Sequence, residues 1–173
     1  MRLPSLYQFF RHQVSHGFHR HGITQPATVD YVSDILTRFA ETRQLHALRD
    51  ANDRPLEYIV DMLEAWQQSR EGGGGNFARG YFILRHLGEY TLFMSGLFRE
   101  RLKQRGELNY YLAHGSNAYW RCASNEANPR QRQVYWQLHS DFRLISNTLD
   151  NMRRVQFPLP ASADNLLTSF WRT

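Results

Sequence analysis

FARGYFILRHLGEYTLFMSGLFRERLKQR, from Phe77 to Arg105, decides the fold. Apolar side chains fall on nearly every side of a helical wheel drawn through it, and a helix hydrophobic all round belongs inside a protein or a membrane. Arg85, His86 and Glu89 sit in its middle. Charges at that depth are costly in lipid, so the stretch predicts the central helix, about 77–103, of a water-soluble bundle and no membrane span. Gly80, Gly88 and Gly96 recur every eight residues. Glycine inside a helix costs about 1 kcal/mol relative to alanine, so the repeat predicts close approach by neighbouring helices or a kink near Gly88.

Working outward towards the N-terminus, four consecutive glycines, Gly72 to Gly75, predict an exposed mobile loop over 71–76. They lack the Gly-x-x-x-x-Gly-Lys-Ser/Thr pattern of a phosphate-binding loop. Before them, Asp53 and Pro55 open a helix whose buried side is expected to carry Leu56, Ile59, Val60, Leu63 and Trp66. Glu57, Asp61 and Glu64 lie along its neighbouring face. No glutamate in the chain is followed by histidine three places on, so a di-iron bundle is rejected and the acidic stripe is expected to be solvated or paired with arginine. Residues 44–54 are polar and predict a loop. Upstream, Thr28 is the expected N-cap of a helix with the stripe Val29, Val32, Ile35, Leu36 and Phe39. Residues 3–21 predict a first helix with Leu3, Leu6, Tyr7, Phe10, Val14 and Phe18 on one face and His12, His16 and His19 on the other. That histidine spacing could share a zinc or nickel ion. No carboxylate or cysteine completes the set locally, so neither a metal nor any other cofactor is expected.

Towards the C-terminus, residues 108–124 predict a tyrosine-rich helix with Leu108, Tyr111, Leu112, Gly115, Tyr119 and Cys122 on one face. Buried tyrosine hydroxyls need acceptors, and Glu89 is the expected one. Asn128 and Pro129 give a cap and first position for a final long helix reaching about Val155. Its apolar side runs through Val134, Leu138, Phe142, Ile145, Leu149 and Met152. Arg132, Arg143 and Arg154 line the opposite side with Trp136, a stripe that could track a phosphate backbone and stack on a base. Pro158 and Pro160 end that helix, and the tail 156–173 carries Leu166, Leu167, Phe170 and Trp171, which suggests docking.

LRHLGEYTLFMSGLF at 84–98 and LNYYLAHGSNAYW at 108–120 resemble an uncharacterised family of bacterial all-helical proteins. The matching positions are Arg85, Leu87, Gly88, Glu89, Gly96, Leu97, Phe98, Tyr110, Tyr111, Gly115, Ala118 and Tyr119. The resemblance implies a helical fold and no reaction.

The 173 residues carry a net charge of +5 that rests on arginine, Lys103 being the only lysine. A basic balance admits nucleic acid, but a bias this complete fits GC-rich coding better than selection for phosphate contacts. A single cysteine, Cys122, and an N-terminus without a signal-peptide pattern predict a cytoplasmic protein. The expected architecture is all-α: one domain over 1–173, about six helices around the central one. No Ser-His-Asp, Cys-His or zinc-finger spacing supports acyl transfer or a classical metal site. The expected function, the one that demands least of the sequence, is a non-enzymatic interaction protein with a protein partner or a second copy of itself. The alternative is a ligand pocket or enzyme built on Arg85, His86, Glu89, Tyr110, Tyr111 and His114, and the second alternative is nucleic-acid binding through the arginines of the last helix.

Overall fold

The computed structural model describes residues 5–40, 55–71 and 77–155. Every regular element among them is a helix. They are α1 (Leu6–Arg20), α2 (Pro26–Ala40), α3 (Pro55–Glu71), α4 (Phe77–Leu97), α5 (Arg99–Gln104), α6 (Leu108–Asn125), α7 (Pro129–Ser140) and α8 (Phe142–Val155). The loop expected at 44–54, the four glycines and the tail 156–173 lie outside the described residues, as does the side chain of Glu57. No helix among the described residues is long and apolar enough to cross a membrane.

Helix ends follow local chemistry. Ser5 closes a capping box on α1, its hydroxyl accepting from the Gln8 amide at 3.2 Å while the Gln8 side chain accepts from the Ser5 amide at 3.1 Å. Asn128 caps α7 by accepting from the amides of Arg130 and Gln131, with Pro129 in the first turn. Helix α2 opens at Pro26, two residues before the expected cap. Thr28 is instead buried, and its hydroxyl donates to Gln137 of α7 at 2.6 Å.

Two expected helices are each divided. The central helix ends at Leu97 and bends at Phe98 (φ −118°, ψ 30°), and the last long helix breaks at Asp141 (φ −109°, ψ 19°). Neither bend discards its backbone bonds: Phe98 still donates to Met94 and accepts from Leu102, and Asp141 donates to Gln137 and accepts from Ile145. The break at Asp141 turns Phe142 onto α6, where its ring occupies the space a side chain at Gly115 would need. Packing thus outweighs the continuity of the sequence pattern.

Helix α4 is the hub. It packs most extensively on α6, then on α3 and α8, and touches α2 near its midpoint. From Leu87 to Leu97 every residue is buried. The glycine repeat explains how three helices come so close. Eight residues rotate a helix by about 80° beyond two full turns and advance it about 12 Å. Each glycine therefore faces a different neighbour: Gly80 meets Ser69 of α3, Gly88 the Tyr119 ring of α6, and Gly96 Leu149 of α8. Helix α4 runs unbroken through Gly88. All eight helices contribute to one buried apolar cluster, rich in rings such as Phe10, Phe93, Tyr111, Tyr119, Tyr135 and Phe142. On α3, Ile59 and Met62 are buried, whereas Val60, expected inside, is 42% exposed.

Candidate functional site

The polar group at the midpoint of α4 is assembled from three helices. Glu89 is only 2% exposed. Arg85, one turn earlier, donates through Nε to Glu89 Oε1 at 3.1 Å, the spacing at which side chains on one helix meet. Arg38, near the end of α2, donates from Nη1 to Oε2 at 3.0 Å, and its Nη2 lies 2.9 Å from Oε1. Tyr31, two turns before Arg38, donates its hydroxyl to Oε1 at 3.0 Å and meets the Tyr119 hydroxyl at 3.3 Å. Arg38 also pairs with Asp34 at 2.7 Å, so two guanidiniums face two carboxylates. Burial pushes the Tyr31 and Tyr119 phenols well above their usual range, Glu89 adds to both shifts and the Tyr31 hydroxyl opposes the one at Tyr119, so both phenols stay neutral.

His86 does not join Glu89. Its Nε2 lies 2.8 Å from the Tyr58 hydroxyl, and its ring stacks between Phe39 and Phe82 at centroid distances of 6.1 and 6.4 Å. Burial lowers its pKa, with Glu89 opposing and Arg38 reinforcing the shift, which favours the neutral imidazole beside Tyr58. The phenol network continues elsewhere: Tyr81 bonds Tyr135 at 2.7 Å and donates a short bond to Glu126.

Of the six residues the sequence grouped as a pocket, the structure joins Arg85 and Glu89 directly and sets His86 beside them. Tyr110 and His114 pair with each other on α6, ring centroids 4.3 Å apart, and Tyr111 packs against Tyr90. No hydrogen bond ties any of these three to Glu89. Tyr31, Arg38 and Tyr58 fall outside that sequence grouping. Tyr31 and Arg38 are seven residues apart, a spacing that returns to one helix face, and this was the available signal. Chemically, each oxygen of Glu89 already accepts from a guanidinium, Oε2 from Arg38 Nη1 and Oε1 from Arg85 Nε, and Oε1 also accepts from the Tyr31 hydroxyl. Such a carboxylate, paired with arginines of both α2 and α4, holds the two helices in register.

The other candidates are dispersed. His12, His16 and His19 are exposed on α1, and among the described residues no three His, Cys, Asp or Glu side chains could hold a metal ion. The arginine stripe is divided by the break at Asp141. Arg132 donates to the carbonyls of Glu126 and Ala127, Arg143 reaches Asn109 at 3.5 Å, and Arg154 pairs with buried Asp150 at 2.8 Å. Trp136 is 38% exposed and packs edge-on against His139.

A cleft of about 340 Å³ opens away from the Glu89 group, between the C-terminal end of α3, the first turns of α4 and the C-terminal half of α6. Trp66, Arg70, Phe77 and Arg121 line it. The guanidinium carbons of Arg70 and Arg121 lie 5.0 and 4.3 Å from the Trp66 ring centroid. No family model, curated protein or solved structure matches this chain.

Proposed function

We propose that the protein is a non-catalytic helical interaction module that pairs with a second copy of itself, in a reducing cytoplasm of bacterial type. The observation that carries this reading is the unevenness of α4. The helix is buried at every residue from Leu87 to Leu97, yet it begins with Phe77 at 83% and Phe82 at 69% exposed. Large rings left in water on the most apolar helix favour a protein contact. Charge on α3 suits self-pairing. Asp61 and Glu64 are exposed and unpaired among the described residues, and Arg70 stands at the other end of the same helix. A two-fold contact would set the acids of one copy against the basic end of the next. The pairing of Glu89 with Arg38 and Arg85 supports a structural role for the central polar group, and the intramolecular bonds of Arg132 and Arg154 weaken the case for nucleic acid.

Sedimentation velocity across the micromolar range tests the reading. The expected result is a mass that rises with concentration. Phe82→Ser should weaken pairing by about 2 kcal/mol, roughly thirtyfold, because a buried phenylalanine contributes about 1.5–3 kcal/mol. A constant monomer mass sinks the proposal. Salt-sensitive retention of an oligonucleotide, lost in Arg132→Ala/Arg143→Ala, would transfer it to nucleic acid.

A further inference from the structure

The cleft between α3, α4 and α6 points to a ligand. Two like charges, Arg70 and Arg121, are drawn to one indole, and no described carboxylate pairs with either. Elsewhere, buried carboxylates attract arginines directly, as Glu89 and Asp150 do. Arg70 and Arg121 therefore keep planar, forked donors available above an aromatic floor. Guanidinium forks match the oxygens of carboxylate and phosphate. The floor and the exposed Phe77 ring at the mouth offer flat apolar surface beside them. The Asn125 side-chain nitrogen is spent on the Arg121 carbonyl at 2.8 Å, which leaves its oxygen to accept a donor from the ligand rim. At about 340 Å³ the cleft falls in the size range of small-molecule sites, about 300–1,000 Å³.

We propose that this cleft binds a small planar organic anion, an aromatic carboxylate or the phosphate monoester of an aromatic compound, with Arg70 and Arg121 on the anionic group and Trp66 against the ring. The proposal goes beyond self-association and does not depend on it: Trp66 and Arg121 have no part in the pairing contact, and Arg70, the basic end of α3 in that contact, lines the cleft of the unpaired chain that Phe82→Ser favours.

The test uses the full chain carrying Phe82→Ser, which leaves the cleft lining intact, at the lowest workable concentration. Salicylate and adenosine 5′-monophosphate are titrated by calorimetry, each beside its neutral analogue, salicylamide and adenosine, with indole N–H resonances followed in parallel. The expected result is saturable binding of at least one anion, a shifted Trp66 resonance and much weaker binding of the neutral analogue. Arg70→Gln and Arg121→Gln should each weaken binding roughly tenfold, the usual worth of a hydrogen bond between charged groups. Arg121→Lys should fall between, retaining charge but losing the fork. Arg70 is exposed and Arg121 half-buried, so an unchanged unfolding midpoint will confirm that the variants fold. Binding of neither anion, equal binding of a neutral analogue, or undiminished binding in Arg70→Gln/Arg121→Gln overturns the proposal.

Discussion

Glu89→Gln is the most informative single change. The carboxylate is 3% exposed at its side chain and is flanked by Arg38 and Arg85, whose side chains are 32% and 40% exposed. Removing one member of a buried ion pair typically costs 3–5 kcal/mol, because the remaining charge stays desolvated. Here the stranded guanidiniums are part-exposed and Arg38 keeps Asp34, so the cost should fall to about 2–3 kcal/mol. The amide is nearly isosteric and still accepts from Tyr31, so packing at Gly88 and Tyr119 is undisturbed. For a chain of this size each kcal/mol lowers the melting temperature by about 2–4 °C, which gives a drop of about 4–12 °C. Urea unfolding followed by circular dichroism gives the free energy directly. A double-mutant cycle with Arg38→Gln should show coupling of about 1 kcal/mol or more. A melting temperature unchanged in Glu89→Gln, or strictly additive effects in the cycle, would refute the view that this pairing holds α2 against α4.

Gly88→Ala places a Cβ 2.8 Å from Cζ of the fully buried Tyr119, so overpacking of about 1–3 kcal/mol should exceed the helix-propensity gain of about 1 kcal/mol and lower the urea midpoint. His86 has a folded-state pKa below its ordinary 6.5, so the unfolded chain binds more protons in that range and stability falls as pH drops through 6.5 towards the folded value. In His86→Gln the stability-versus-pH slope below 6.5 should shrink but not vanish, since half-buried His114 is lowered by burial in the same sense; an unchanged slope would contradict the assignment. Cys122 is fully buried and its thiol is pushed up to about 12 by burial, with Arg85 opposing and Glu89 and Glu126 adding to the rise, so a disulfide reagent should label it only after denaturant is added. Rapid stoichiometric labelling of the native protein would show that α6 opens readily.

The sequence by itself determined the helical class, the hub and the near-neighbour pairs. Each depends on the helical repeat or on chemistry within about one turn: the all-round apolar stretch from 77, the eight-residue glycine step, the Arg85–Glu89 pair and the Asn128–Pro129 start. Tertiary structure decided what closes over those features. The Glu89 partners Tyr31 and Arg38 come from α2, 58 and 51 residues away, and no local pattern sets such a distance. The bends at Phe98 and Asp141 were equally hidden, because neither residue is a proline or glycine, and the second seats Phe142 against Gly115 of α6. Likewise the cleft joins Trp66, Arg70 and Arg121 only because Gly80 lets α3 lie against α4 while α6 packs alongside. Periodicity names the face of a helix, and only packing chooses what that face meets.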